Sequence, residues 1–258
     1  MSLRFAFAAL SDTGLRRREN QDRWLLREDL ELAAIADGMG GLPHGAEAAQ
    51  AAIDGLLARI ERRFPSSDAD WRGLLEHLNR DVHALGQRLG AKPGIGTTLT
   101  LLAAKGSRLT VAHVGDSAAF RLRDGRLEQL TKEHTVAAEI AELEQAGLKR
   151  PAPFGAEHML SSCLGLPFLP QQDVHSTHLA AGDRLLICSD GLSKPVDLET
   201  ITETLIHAPT PEAAARTLVD LANAAGGPDN ITVIVGFCAT ASPATPCLLA
   251  DAAPQLPP

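Results

Sequence analysis

Asp37 follows the apolar run LAAIA and precedes GMGG, Asp116 follows VAHVG, Asp190 follows LLICS, and Asp229 precedes NITVIVG. Each of these aspartates stands at the end of a strongly apolar stretch, where a carboxylate is held near the core and partly stripped of water. Carboxylates gathered in such a place repel one another and raise at least one pKa, and a divalent cation that neutralises several at once is the usual remedy. Ligation by carboxylate, backbone carbonyl and water suits Mg²⁺ or Mn²⁺, whereas zinc draws His or Cys into its set. Gly38, Gly40 and Gly41 remove side-chain bulk beside Asp37, so a main-chain carbonyl can approach a metal that this carboxylate already holds. Nearer the N-terminus, SDTGLRRRENQD places Arg16, Arg17 and Arg18 before Asp22. Guanidinium forks match phosphate oxygens in a bidentate geometry that lysine does not reproduce. Taken singly, these features read as a solvated acidic face, a tight strand-to-helix turn and an exposed basic patch. Together they are the two parts that phosphate ester hydrolysis needs, cations to hold the phosphate and a metal to provide hydroxide at neutral pH.

Residues so far apart in the chain must be brought together by strands. Apolar runs rich in β-branched residues predict strands at 4–10, 32–36, 98–104, 108–114, 117–123, 184–189 and 230–237. Short turns at Lys105-Gly106-Ser107 and Asp124-Gly125 join consecutive strands, the latter leading into Arg126–Leu130, which implies an antiparallel meander. Helical spacing of apolar residues predicts helices over Gly45–Arg63 and Ala69–Leu89, and further helices over 135–146, 198–207 and 210–225. The last opens on Thr210-Pro211-Glu212, an N-cap residue followed by proline at the first helical position. Helices grouped between blocks of strands favour an antiparallel α+β architecture over a doubly wound parallel sheet. No linker divides residues 4 to 237, so 1–238 reads as one domain, and the Ala/Pro-rich 239–258 reads as a disordered tail.

The chain has 258 residues, 22% of them charged and 45% hydrophobic, enough to bury a core without help from a disulfide or a structural metal. Twenty-four basic against 32 acidic residues, with no Tyr, 7 Phe and 2 Trp, disfavour a nucleic-acid partner. Cys163, Cys188, Cys238 and Cys247 include no CxxC pair, which argues against a zinc ribbon or a thioredoxin-type site. No apolar run approaches the roughly 20 residues of a membrane span, and the first ten residues lack a signal-peptide pattern. A monomeric cytoplasmic protein without a membrane partner is expected.

Six blocks, SDTGLRRRENQD (11–22), AIADGMGG (34–41), GTTLTLL (96–102), VAHVGDSAAFRLRDGRLEQLTKEHT (111–135), LLICSDGLSKPV (185–196) and PDNITVIV (228–235), resemble in order the bacterial type of the metal-dependent PP2C (PPM) family of Ser/Thr protein phosphatases. The resemblance implies a central antiparallel β-sandwich flanked by pairs of helices, with a two-metal Mn²⁺ or Mg²⁺ centre at one edge. It implies that Asp37 bridges both metals, that the Gly38 carbonyl serves the second, that Asp190 and Asp229 complete the first, and that Asp22 holds a water of the second. Asp116, with Asp190, matches the position of a third and weaker metal. Arg17, five residues before Asp22, matches the phosphate-binding arginine, so that Arg17, Asp37 and Asp190 form the catalytic set. The implied reaction is in-line attack of a metal-bridging hydroxide on phosphoserine or phosphothreonine in proteins, opposing a bacterial Ser/Thr kinase. Alternatives are an inactive binding module of the same fold, and a metal-dependent nuclease or small-molecule phosphoesterase. The sequence also departs from the family. Met39 stands where animal members carry a proposed general-acid histidine, leaving a metal-bound water or His44 as proton donors. The segment 136–170 corresponds to a mobile flap, with LSSCLG (160–165) replacing the commoner Thr-Arg sequence. Cys163 within it is expected to be a buried, unreactive thiol.

Overall fold

In the strand β3 (Leu32–Asp37), alternate residues serve different cores. Leu32, Ala34 and Ala36 pack with helices, while Ala33 and Ile35 enter a core between two sheets, the period-2 pattern of a strand covered on both faces. The computed structural model describes residues 3–148 and 150–240. One sheet runs in the order β1 (Leu3–Asp12), β10 (Ile231–Thr240), β9 (Arg184–Cys188), β6 (Ala118–Arg123), β7 (Arg126–Gln129). The other runs β2 (Asp22–Arg27), β3, β4 (Leu99–Lys105), β5 (Arg108–Val114), β8 (Asp173–His178). Every pairing is antiparallel.

Helices α1 (Gly45–Arg62) and α2 (Asp68–Arg88) cover the second sheet, and α5 (Leu198–His207) and α6 (Pro211–Ala224) cover the first. The result is a four-layer α-β-β-α sandwich, as the α+β reading expected. Local chemistry sets the helix ends. Ser67 and Asp70 form a reciprocal capping box on α2, and the Thr210 side chain accepts from Ala213 N ahead of Pro211 on α6. Two further helices are α3 (Val136–Gln145), packed against the 3-10 helix Ala156–His158, and the four-residue α4 (Asp190–Ser193).

Strands β2 and β8 are absent from the sequence reading. Their residues, DRWLLR and DVHSTH, carry too little apolar alternation to signal strands, because both are outer strands of their sheet, where polar side chains keep contact with water. The expected domain end at 238 is also too early. β10 runs through Thr240, which pairs with Leu3, so two residues of the expected tail belong to the sheet. The remainder of that tail, with Cys247, lies outside the described residues.

Candidate active site

Asp22 is the first residue of β2 and Asp37 the last of β3, and the two are direct cross-strand partners. Asp190 opens α4 two residues after β9, Asp229 stands two residues before β10, and β9 and β10 are neighbours in the other sheet. Asp116 lies in the turn from β5 to β6. The sandwich thus delivers strand ends from both sheets to one edge. There a cleft of about 440 Å³ is lined by Asp37, Asp116, Asp190 and Asp229, together with Arg17 and Lys194.

The main chain at Asp37 is fixed by hydrogen bonds that do not use its carboxylate. Asp37 N donates to Thr98 Oγ1 at 3.0 Å, and the Asp37 carbonyl accepts from Thr98 N at 2.8 Å and Thr97 Oγ1 at 2.9 Å. Asp22 lies behind, only 3% exposed. Its Oδ2 accepts from Ser189 Oγ at 2.9 Å and Thr232 Oγ1 at 2.7 Å, whereas its buried Oδ1 has no partner. Asn230 ties the arginine-bearing loop to this floor, accepting from Gln21 N at 2.8 Å and donating to the Thr13 and Glu19 carbonyls at 2.9 Å. Close approach explains two glycines: a Cβ at Gly38 would strike the Gly45 carbonyl, and one at Gly191 the Asn230 carbonyl.

Crowding of negative charge shows in the acidities. Burial, followed by the charges of Asp22, Asp190, Asp116 and Asp229, lifts the Asp37 pKa well above the carboxylate range. Burial likewise pushes Asp22 up to about 6 against its Ser189 and Thr232 hydrogen bonds. It raises Asp116 to about 6 as well, with Asp190 adding to the rise and Lys194 opposing it. Arg17 Nη2 meets Asp229 Oδ2 at 2.6 Å, and Lys194 Nζ meets Asp190 Oδ2 at 2.6 Å and Asp116 Oδ2 at 3.2 Å. With the carboxylates drawn to these two cations, no three His, Cys, Asp or Glu side chains among the described residues close on a common point at ligand distance. The donor chemistry nevertheless fits a hard divalent cation: a cluster of carboxylate oxygens, one of them a buried orphan on Asp22, and an Asp37 carboxyl whose pKa burial and the neighbouring carboxylates raise.

The Protein phosphatase 2C family profile matches residues 16–223. The chain belongs to this family. It is 39% identical over 246 residues to the serine/threonine protein phosphatase PstP of Mycobacterium tuberculosis, covering 91% of this chain and 45% of that protein. The chain therefore spans about half the length of that relative. Protein phosphatase PhpP of Streptococcus pneumoniae is 32% identical over 232 residues, covering 87% of this chain and 94% of PhpP. Among solved structures, the catalytic domain of PstP in complex with two manganese ions superposes with a TM-score of 0.75 at 36% identity, covering 92% of this chain and all of that one.

Against this family background, the expected residues sort clearly. Arg17 lines the cleft, with its Nη1 packed against Gly40, while Arg16 and Arg18 are exposed and make no ion pair among the described residues. Gly38 lines the cleft with Met39. His44 does not: it starts α1 in a left-handed conformation and pairs with Glu47 at 3.0 Å. Cys163 is buried and its thiol is pushed up to about 11 by burial, as an inert cysteine should be. Sequence reasoning missed Asn230, Thr98, Lys194 and His158, of which the last three line the cleft. Lys194 alone carried a signal, since it stands four residues after Asp190 in DGLSK, the spacing of neighbours on a helix.

Proposed function

We propose that this chain hydrolyses phosphoserine and phosphothreonine esters in proteins at a binuclear Mn²⁺ or Mg²⁺ centre. The observation that carries this reading is the convergence of Asp22, Asp37, Asp116, Asp190 and Asp229 from both sheets on one edge, with pKa values raised on three of them. Asp37, the Gly38 carbonyl, Asp190 and Asp229 would hold the metals, and Asp22 would act through a water from behind Asp37. When bound, the two ions supply charge neutralisation and lower the pKa of attacking water toward neutrality.

The chain's own residues do the rest. Arg17 is half-exposed on the cleft wall and presents a planar fork to the phosphate, held in place by Asp229. Thr97, Thr98 and Asn230 hold the main chain on which the carboxylates stand, so that the geometry is set before substrate arrives. Met39 has no proton to give and His44 is outside the cleft, so neither protonates the leaving oxygen.

Residues 136–170 form a flap beside the cleft in this reading, 1–240 a single catalytic domain, and a phosphoprotein of a cognate Ser/Thr kinase the substrate. No described helix is long and apolar enough to cross a membrane, and a cytoplasmic monomer is part of the proposal. Phosphothreonine peptide, p-nitrophenyl phosphate, a mononucleotide and an oligonucleotide, compared by kcat/KM at saturating Mn²⁺, test the assignment. Preference for the peptide supports it. Preference for either nucleotide substrate, or turnover of none, replaces it with a small-molecule or nucleic-acid esterase or a binding module respectively.

A further inference from the structure

Asp190 opens α4, and Lys194 follows one helical turn later. Side chains at this spacing share a helix face, and Lys194 Nζ donates to Asp190 Oδ2 at 2.6 Å. The same ammonium reaches across to the turn between β5 and β6 and donates to Asp116 Oδ2 at 3.2 Å. It also lies 3.3 Å from His158 Nδ1, on the short 3-10 helix Ala156–His158 that borders the cleft. The site is partly dry: the lysine side chain is 29% exposed and the aspartate 7%. A compact ammonium with three donors, set between two carboxylates and an imidazole, has its hydrogen bonds accounted for.

We infer that Lys194 is a tethered cation that fills the position between Asp116 and Asp190, so that this chain takes divalent ions on the Asp37 side alone and no third ion at Asp116. The inference rests on the metal-dependent reading above and replaces the sequence expectation of a weak third metal.

Three physical arguments carry it. A cation on a side chain competes at the high effective concentration of an intramolecular group, against a free ion bound by only two carboxylates. Two cations a few ångströms apart repel strongly in a partly buried site, so the ammonium and a divalent ion do not share the gap. Lys194 engages Oδ2 of Asp190, which leaves Oδ1 for an ion on the Asp37 side. The lysine therefore settles part of the negative charge permanently, and its contact with His158 joins the floor to the segment above it.

Bound Mn²⁺ can be counted from the loss of the free-ion EPR signal as metal is titrated into the metal-free full chain, with no substrate present. The expected counts are two ions for the wild type and Lys194→Arg, three for Lys194→Met with the third weakest, and two again for Lys194→Met combined with Asp116→Asn. A count of two in Lys194→Met, with affinities unchanged, overturns the inference. The single variant Asp116→Asn in the presence of Lys194 gives an independent reading that survives any misfolding of the lysine variants. Its count should stay at two, and a wild-type count of three that falls by one in Asp116→Asn overturns the inference. A wild type that binds no Mn²⁺ removes the metal-dependent reading itself, and this inference with it.

Discussion

The floor of the cleft and the segment that borders it hold their functional groups by different means. On the floor, Asp22 and Asp37 are register partners in one sheet, and their neighbours Ser189, Thr232, Thr97 and Thr98 are all buried. In the bordering segment, α3 buries only Ile140, and Leu148, Phe154 and Met159 are 61%, 105% and 46% exposed. The following residues are pinned again: Leu164 exchanges hydrogen bonds with Thr97, and the Asn79 side chain bonds four main-chain groups between Gly165 and Phe168. A floor shaped by paired strands keeps charges in place that would otherwise push apart. A segment with few buried contacts is free to vary and to meet a protein substrate. We propose that chemistry lies in the one region and substrate choice in the other.

Breaking the floor should have the largest effect. Asp37→Asn removes the central charge without changing shape, and kcat on a phosphopeptide at saturating Mn²⁺ should fall by more than the roughly 10–100-fold typical of changes in groups that only support a ligand. A smaller loss would move the centre of the site away from Asp37.

On the wall between floor and solvent, Arg17→Lys keeps charge and loses the fork. A charge-assisted hydrogen bond contributes about 1.5–3 kcal/mol, so kcat/KM should drop roughly tenfold to a hundredfold. Arg16→Lys and Arg18→Lys should be nearly silent in the same assay. Equal losses at all three positions would reduce the cluster to a general basic patch.

The floor should also hold its charges at a cost in stability. Asp22 has its pKa raised from 3.8 to about 6 by burial, so the folded state binds this proton more tightly than the unfolded one. That contribution to stability is complete below pH 3.8 and is lost as pH rises through about 6. In excess EDTA at pH 7, Asp22→Asn should therefore be more stable to urea than wild type by about 1–3 kcal/mol, and the gap should close by about pH 4. The asparagine oxygen still accepts from Ser189 and Thr232. A variant less stable than wild type at pH 7 would show that Asp22 is not a strained charge.

The bordering segment should respond least. Phe154→Ser and Met159→Ser should change unfolding free energy by no more than about 0.5 kcal/mol. They should raise KM for a phosphoprotein by less than about fivefold, with kcat on p-nitrophenyl phosphate unchanged. A large loss on the small substrate would place these residues in the chemistry.

The same contrast explains what could be read from the sequence. The residues Asp37, Asp116, Asp190 and Asp229 were legible because each adjoins an apolar strand, and the strand period is carried by burial on both faces. Edge strands β2 and β8 were not, since their outer position removes the need for apolar alternation. Asp22 was found only through its motif, because DRWLLR, with its three apolar residues consecutive, gave no alternation to show that it begins a strand paired with β3. Asn230 and Thr98 act through long-range hydrogen bonds to Thr13, Glu19 and Asp37, contacts that no local pattern announces. Lys194 was visible at helical spacing from Asp190, but its second partner, Asp116, lies 78 residues away in the chain.

The most direct test of the floor as a metal centre is turnover of a phosphothreonine peptide by protein stripped with EDTA and dialysed, before and after adding Mn²⁺, with Asp37→Asn in parallel. The account predicts no measurable turnover without metal, full recovery on adding Mn²⁺, and no comparable recovery in the variant. Undiminished turnover by the stripped wild-type protein would contradict it.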